Sequence, residues 1–384
     1  MSNKALVVGG SNGIGLALTK KLVKQGYHVI VVDREQPSEA FEEKQLTFIK
    51  SDLSRIDYDM FLELSKDDEI SILFVTAGFG RVTDFENLHA VEIQKLINVN
   101  TISAISIIRA FYSRIKNEND FYCGVMGSIA GIVSSPMFSV YSASKAAICK
   151  FIEAINIELE CSGVKNRILN VSPGSIKGTR FNGGENDLSL LADLADNILK
   201  RLFDREGLFI PNLEVYEGVL EKYNKDPHKF GLESYTYKKE SGRVSKKNNI
   251  KIGYLSGTFD LFHVGHLNLI RRAKEQCDYL IVGVHLDASH KGKETFIPFE
   301  ERIEIVGSCR YVDKAVVSCK EDSDAWNLHK FDKLFVGSDY KGSERFKKYE
   351  QFFADKEVEI VYFPYTSGTS SSQIRSLIKK EKQD

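Results

Sequence analysis

The sequence lacks the features that mark secreted and membrane-spanning proteins. Its six cysteines are scattered over 384 residues without a CxxC pair, which suits a reducing compartment better than a disulfide framework. No apolar run approaches the roughly 18 residues that a membrane span requires. A strand-like segment begins almost at Met1, so we expect no signal peptide. We therefore expect a cytoplasmic protein without a membrane partner.

The sequence also lacks a net charge that would recruit a large polyanion. The formal net charge is -1, so we expect no nucleic-acid partner, and any phosphate recognition must be local. Hydrophobic residues make up 42% and charged residues 27% of the chain, which excludes a disordered protein. These values predict a globular protein that acts on small molecules.

Chain length and patterning predict two domains, because 384 residues exceed what one hydrophobic core usually supports. Short β-branched runs alternate with helix-period stretches up to about residue 210, which is typical of βαβ units. Residues 238–249 are polar and aperiodic, and a second βα series starts at residue 250. We expect domains at 1–240 and 250–384 with a linker at 241–249, although such a stretch is also compatible with a surface loop of one larger domain.

A glycine-rich turn follows the first predicted strand. Residues 8–15 read VGGSNGIG and lead into a helical pattern, so backbone N–H groups at a helix N-terminus can approach a pyrophosphate. The spacing is GxxxGxG, and such a turn can also be purely structural. The candidate cofactor-binding residues of the turn are Gly9, Ser11, Asn12, Gly13, Ile14 and Gly15.

The end of the second predicted strand bears on the choice of cofactor. Asp33 can accept hydrogen bonds from an adenosine ribose and repel a 2′-phosphate, which favours NAD(H). Arg34 follows directly and can pair with a 2′-phosphate, so NADP(H) stays open.

Ser128, Tyr141 and Lys145 carry the chemistry that we expect in this half. Tyr141 and Lys145 are four residues apart and share one face if the segment is helical. A nearby ammonium favours the tyrosinate and should bring the phenol toward acid–base work near neutral pH. Tyr141 can then exchange a proton with a substrate oxygen that Ser128 holds. The pair alone is also compatible with two exposed helical neighbours.

Together these motifs resemble the short-chain dehydrogenase/reductase family over roughly residues 1–240. The resemblance implies a Rossmann-type domain in which Asn100, Ser128, Tyr141 and Lys145 form the catalytic tetrad. Departures are Val8, where the family often has Thr, and Val75-Thr76, where it often has Asn-Asn. In the substrate loop, Lys177 and Arg180 are candidates for a clamp on a substrate phosphate, although the loop is equally compatible with solvated side chains. Further cofactor-binding residues implied by the resemblance are Asp52, Ala77, Gly78, Pro173, Gly174, Ile176 and Thr179.

The second half contains the string GTFDLFHVGH at residues 257–266, between a predicted strand and a predicted helix. His263 and His266 can donate hydrogen bonds to phosphate oxygens as charge develops during displacement at an α-phosphorus. Gly265 lets a nucleotide approach closely. A zinc site would need further ligands at suitable spacing, so we expect no metal site.

This string resembles the nucleotidyltransferase family typified by glycerol-3-phosphate cytidylyltransferase, over about residues 250–380. The resemblance implies that the histidines stabilise the transferring phosphate and that a lysine, Lys291 or Lys293, contacts the triphosphate. One departure is Tyr365, where the family commonly has Arg. Implied nucleotide-binding residues are Gly257, Thr258, Phe259, Asp260, Gly265, Asp339, Ser370, Ser371 and Ser372.

The two resemblances together predict a bifunctional enzyme. The first activity reduces a ketose or ketose phosphate with NAD(P)H, and the second transfers CMP from CTP to a polyol phosphate with Mg²⁺. The product would be a CDP-alditol of the CDP-ribitol or CDP-glycerol type, for a bacterial surface polymer. Adenylyl transfer from ATP, or a C-terminal half that only binds nucleotide, are the alternatives. Both families usually form homo-oligomers, so we expect one here.

Overall fold

The computed structural model describes residues 3–42, 44–182, 185–242, 244–245, 250–288, 294–364 and 374. The chain divides into two compact units, Met1–Lys247 and Asn248–Asp384. Each unit is built on one sheet in which every described strand pair is parallel. The predicted α/β fold class with two parallel sheets is therefore confirmed.

The first unit contains a seven-stranded sheet in the order β3-β2-β1-β4-β5-β6-β7. The strand order reverses between β1 and β4, and ligands bind at the carboxyl ends of strands beside such a switch point. The strands are β1 (Lys4–Val8), β2 (His28–Asp33), β3 (Leu46–Lys50), β4 (Ile70–Val75), β5 (Tyr122–Met126), β6 (Ile168–Val171) and β7 (Leu208–Phe209).

Helices cover both faces of this sheet. A π-helical turn, Asn98–Ile102, joins α3 to α4. The helices are α1 (Gly13–Lys24), α2 (Tyr58–Ser65), α3 (Ala90–Ile97), α4 (Ser103–Ala110), α5 (Tyr112–Ile115), α6 (Ser139–Cys161), α7 (Ala192–Phe203), α8 (Leu213–Lys225) and α9 (Pro227–Glu240).

The central strands are apolar on both faces because each face supports its own core. Leu6 belongs to a buried cluster that includes Ile107 of α4, whereas its neighbour Val7 belongs to a second cluster with Leu18 of α1 and Ile198 of α7. Successive side chains of a strand point to opposite faces. This two-sided burial produces the continuous β-branched runs seen in the sequence.

The second unit contains a five-stranded sheet in the order β10-β9-β8-β11-β12, with the reversal between β8 and β11. Leu255 of β8 and Ile270 of α10 belong to its buried core. In neither unit does a described helix combine the length and apolarity needed to cross a membrane. The elements are β8 (Ile252–Gly257), α10 (Val264–Lys274), β9 (Tyr279–Val284), α11 (Phe299–Gly307), β10 (Lys314–Val317), α12 (Asp322–His329), β11 (Lys333–Gly337), α13 (Glu344–Phe353) and β12 (Glu359–Phe363).

Part of the predicted linker packs on the first unit. Residues 243 and 246–249 lie outside the described residues. The backbone N–H of Ser245 donates to Val82 O at 2.9 Å, and the Arg81 guanidinium donates to Ser245 O at 3.1 Å. The chain is therefore held to the loop that follows β4 shortly before the second unit begins.

Candidate active sites

The glycine-rich turn lies at the carboxyl end of β1, at the switch point of the first sheet. Gly9 has a φ of +86°, and a Cβ there would lie 2.4 Å from the backbone nitrogen of Ala77. A Cβ on Gly15 would lie 2.1 Å from Gly9 O. Only glycine fits at both positions, and the structure brings the turn against the segment after β4.

Asn186, which sequence reasoning missed, contacts this turn. Its side-chain oxygen accepts a hydrogen bond from Gly13 N at 3.1 Å, and its amide donates to the side chain of Asn12 at 2.9 Å. The methyl carbon of Thr179 lies 3.5 Å from the position that a Cβ on Gly13 would take. The segment after β6 thus packs against the glycine-rich turn. Ile14 and Ile176 pack against the apolar cluster beneath it.

Asp33 is held beside the turn at the end of β2. Its carboxylate accepts hydrogen bonds from Ser11 N at 3.1 Å and Arg34 N at 2.7 Å. The Ser11 hydroxyl donates to Glu35 O at 2.6 Å. A carboxylate fixed here can accept hydrogen bonds from ribose hydroxyls. Asp52, after the neighbouring strand β3, accepts a hydrogen bond from Ser54 N at 2.9 Å.

The two cations of the substrate loop are exposed, and one of them has a carboxylate partner. Arg180 pairs with Glu35 at 3.6 Å, next to the end of β2, and Lys177 is exposed. A carboxylate already neutralises part of the Arg180 charge on the cofactor side of the cleft. The expectation that these two residues bind a substrate phosphate together stays a prediction.

Asn100 lies in the π-helical turn, a feature that often marks a functional site. Its side-chain oxygen accepts from Phe79 N at 3.0 Å, while its amide donates to Phe79 O at 2.9 Å and to Ser144 Oγ at 3.0 Å. A Cβ on Gly78 would lie 3.2 Å from both Asn100 Oδ1 and Lys145 Nζ. Asn100 therefore ties the segment after β4 to helix α6.

Ser128, Tyr141 and Lys145 come together at the carboxyl ends of β5 and β6. The Lys145 ammonium donates to Met126 O at 2.7 Å and lies 5.8 Å from the centroid of the Tyr141 ring. Ser128 hydrogen-bonds to the Tyr141 side chain and lies 3.4 Å from Pro173 O. A proton donor, a cation and a hydroxyl thus converge beside the glycine-rich turn.

Burial sets the protonation of this group and reverses one expectation. Removal from water raises the pKa of Tyr141 to about 12, despite the Ser128 hydrogen bond that lowers it. The same cause lowers the pKa of Lys145 to about 8. The expected shift of the Tyr141 pKa toward neutrality was wrong, because desolvation of the tyrosinate outweighs its stabilisation. Tyr141 is a protonated phenol at neutral pH, suited to donating a proton.

Aromatic rings that the sequence did not single out surround Tyr141. The Phe138 ring stacks on it at 4.3 Å between centroids, and the Phe181 ring lies 5.2 Å away. A Cβ on Gly80 would lie 2.5 Å from the Tyr141 ring. These neighbours account for the burial that controls the phenol.

In the second unit, the histidine pair begins helix α10. His263 is the N-cap, and its Nδ1 accepts a hydrogen bond from Gly265 N at 3.0 Å. Nδ1 of His266 accepts from His263 N at 3.4 Å. An imidazole that accepts at Nδ1 carries its proton on Nε2 when neutral. Both rings, stacked 4.0 Å apart, therefore have Nε2–H as the donor for a phosphate oxygen.

The turn before the histidines has an unusual backbone. Phe259 and Leu261 have φ values of 52° and 51°, a left-handed conformation that costs energy outside glycine and clusters at functional sites. The Asp260 carboxylate accepts hydrogen bonds from Phe296 N and Ile297 N at 3.0–3.1 Å. The buried Thr258 hydroxyl has no hydrogen-bond partner among the described residues. Asp260 thus holds the turn, and Thr258 presents a free polar group there.

Arg302 supports the same turn from α11. Its guanidinium donates to four backbone carbonyls, including Thr258 O at 2.5 Å and His285 O at 2.8 Å. The side chain is buried, and burial lowers its pKa. Arg302 therefore positions the loops after β8 and β9 rather than facing a ligand.

The remaining nucleotide-binding predictions fall in two groups. Asp339 is exposed just after β11, which pairs with β8, so it shares the sheet edge that carries the Gly257 turn. No set of three His, Cys, Asp or Glu side chains among the described residues could hold a metal ion. The predicted residues Lys291, Lys293, Ser370, Ser371 and Ser372, and the departure at Tyr365, lie outside the described residues.

Two known families match the two halves of the chain. The short chain dehydrogenase family model matches residues 3–188, and the cytidylyltransferase-like family model matches residues 254–377. Glycerol-3-phosphate cytidylyltransferase of Bacillus subtilis is 33% identical over 126 residues, which are 32% of this chain and 92% of that protein.

Relatives of the first unit are more distant. A protein of Helicobacter pylori described as a probable short-chain type dehydrogenase/reductase is 29% identical over 196 residues, 49% of this chain and 72% of that one. The structure of a short-chain dehydrogenase/reductase from Burkholderia phymatum in complex with NAD superposes with a TM-score of 0.52 at 16% identity. It covers 59% of this chain and 94% of the other. That likeness shows the fold.

Proposed function

Because this chain is a two-domain enzyme of the short-chain dehydrogenase and cytidylyltransferase-like families, we propose that it makes a CDP-alditol in two steps. The first unit reduces a ketose or ketose phosphate to the corresponding polyol with NAD(P)H. The second couples a polyol phosphate to CMP from CTP and releases pyrophosphate. A CDP-alditol is an activated polyol phosphate, so it suits a transferase that builds a polyol-phosphate surface polymer.

The reductase assignment rests on the convergence of Tyr141, Lys145 and Ser128 beside the glycine-rich turn. Bound nicotinamide cofactor supplies the hydride. Tyr141 donates its proton to the ketone oxygen, which Ser128 holds by hydrogen bond. The Lys145 ammonium, 5.8 Å from the Tyr141 ring, stabilises the negative charge that develops on the phenol oxygen.

The fixed Asp33 carboxylate supports NAD(H) over NADP(H). The residues that would hold the cofactor suit a dinucleotide. The glycine-rich turn brings backbone N–H groups to the switch point, and Asp33 lies at the end of the neighbouring strand β2. Exchange of Asp33 for Ser keeps Arg34 and removes the repulsion of a 2′-phosphate. We expect the ratio of kcat/KM for NADPH over NADH to rise at least about tenfold in that variant.

The transferase assignment rests on the two Nε2–H donors of the stacked histidines. A phosphate oxygen that accepts from both gains negative charge as the polyol phosphate attacks the α-phosphorus of CTP. Mg²⁺ would enter with the triphosphate and offset its negative charge. The likeness to a cytidylyltransferase supports CTP as the nucleotide substrate.

One experiment tests both steps and their rivals. The protein is incubated with ketoses and ketose phosphates, NADH or NADPH, CTP or ATP, and Mg²⁺, and products are read by mass spectrometry. We expect a CDP-alditol from the wild type. Tyr141→Phe should lose ketone reduction, and His263→Ala should lose CMP transfer. A strong preference for ATP would establish adenylyl transfer instead. CMP transfer unchanged by His263→Ala would leave the second unit as a binding module.

A further inference from the structure

Helices α8 and α9 lie beyond the region that matches the dehydrogenase family model. None of their residues is buried, and the two helices contact each other as a hairpin. Yet one side chain from each helix contacts a segment that adjoins the Tyr141 site. This placement indicates a role that packing into the core does not explain.

Tyr216 of α8 covers the turn after β6. Its hydroxyl accepts a hydrogen bond from Ser175 N at 3.2 Å. A Cβ on Gly174 would lie 1.6 Å from that hydroxyl oxygen, so only glycine lets the phenol lie so close. Helix α8 therefore forms part of the wall next to Pro173, whose carbonyl oxygen lies 3.4 Å from Ser128 Oγ.

Lys238 of α9 contacts the loop at residues 134–138. Its ammonium donates to Ser135 Oγ at 2.5 Å and to Pro136 O at 2.8 Å. It also lies 6.0 Å from the centroid of the Phe138 ring, and Phe138 stacks on Tyr141. The ammonium and the proton donor of the reductase thus lie next to the same aromatic ring.

Among the residues that the structure describes, Lys238 has only neutral partners. Its two acceptors are neutral, and no carboxylate among the described residues pairs with it. The side chain is half-buried, and partial removal from water lowers its pKa to about 8. An ammonium has three donors and two are used. A half-buried cation with an unused donor is stabilised by an anionic ligand.

We propose that Lys238 binds the phosphate group of a phosphorylated ketose in the reductase site. The proposal rests on the reductase function proposed above and identifies its substrate class. Ketose phosphate, NAD(P)H and a proton then give polyol phosphate and NAD(P)⁺. That polyol phosphate is already the acceptor for CMP, so the two reactions are consecutive and need no kinase between them.

Paired substrates test this proposal. Dihydroxyacetone is compared with dihydroxyacetone phosphate, and ribulose with ribulose 5-phosphate, at saturating NADH. In Lys238→Met we expect the KM for the phosphorylated ketose to rise at least about tenfold with little change in kcat. The KM for the unphosphorylated ketose should be unchanged. Lys238→Arg should retain most of the discrimination. Lys239→Met is the matched control, since the Lys239 ammonium lies over Tyr235 at 4.8 Å.

Equal losses for both members of a pair in Lys238→Met would overturn the proposal, because a residue that only ties α9 to the loop acts on both alike. The variant Ser135→Ala tests the tethering role by itself, because it removes one hydrogen bond between α9 and the loop and keeps the Lys238 cation. Preferred reduction of the unphosphorylated ketose by the wild type would also overturn the proposal while leaving the reductase function intact.

Absence of reduction with any ketose would instead refute the proposed function. In that case inorganic phosphate serves as the probe, titrated calorimetrically into the 384-residue chain with NADH. Binding that is lost in Lys238→Met and kept in Lys239→Met supports the site, and absence of binding to the wild type rejects it.

Discussion

The Lys145 ammonium lies one helical turn from Tyr141 and 5.8 Å from the centroid of its ring. Both groups are buried, and burial acts on them in opposite directions. The neutral phenol and the neutral amine are each favoured by loss of water, so the pKa of Tyr141 rises to about 12 and that of Lys145 falls to about 8. This relationship predicts how reduction depends on pH.

We expect kcat/KM for ketone reduction to be constant below about pH 8 and to fall above it. Lys145 carries its positive charge only below its pKa, and that charge stabilises the phenol oxygen as Tyr141 gives up its proton. Tyr141 itself stays protonated over this range. The measurement uses an unphosphorylated ketone at saturating NADH, which leaves Lys238 out of the profile. A rate that stays level to pH 10 would contradict the assignment of Lys145.

Asn186 occupies the backbone donor of Gly13 that a pyrophosphate oxygen would use. We expect Asn186→Ala to tighten NADH binding by roughly threefold to tenfold, because one hydrogen bond of about 1 kcal/mol no longer competes. Fluorescence titration of NADH measures this change. Asn197→Ala is the control, since the exposed Asn197 amide donates to Asp193 O on the surface of α7. Weaker NADH binding in Asn186→Ala would show that the side chain instead supports the cofactor site.

Arg302→Met should remove CMP transfer and leave ketone reduction unchanged. The substitution strands four part-buried carbonyls in the loops after β8 and β9 and before α11, at a cost of about 3 kcal/mol or more in the free energy of unfolding of the second unit. Calorimetry should show one transition shifted down and the other in place. Arg271→Met on the exposed side of α10, where Arg271 contacts Asn268, should shift neither.

The ion pair between Arg81 and Glu92 should be important for the stability of the first unit. Its side chains are 7% and 3% exposed and 2.6 Å apart. Arg81→Met leaves a buried carboxylate unpaired and should cost about 3–5 kcal/mol in the free energy of unfolding, whereas the double change to Met at both positions should recover most of it. Denaturant unfolding measures both.

The matched control for that pair is exposed. Lys66 and Glu63 are 68% and 71% exposed, so Lys66→Met should change stability by less than about 1 kcal/mol. Equal effects of Arg81→Met and Lys66→Met would show that burial does not decide the strength of these pairs.

Local motifs could be predicted from the sequence because neighbouring residues along a helix or turn have few possible arrangements. The four-residue spacing of Tyr141 and Lys145 placed them on one face of α6, and the HxGH string placed His263 at a helix N-terminus. Alternating β-branched runs indicated the two parallel sheets, which are confirmed. The assignments of individual site residues stay predictions.

Sequence by itself therefore determined the two families, the parallel α/β sheets and the short-range chemistry of each motif. Only the tertiary structure decided which distant side chains meet them: Asn186 at Gly13, Phe138 against Tyr141, and Lys238 beside Phe138. It also decided that the pKa of Tyr141 is raised. Contacts and burial of this kind depend on how whole elements pack. The spacing of residues along the chain does not show which side chains lose contact with water when the elements pack.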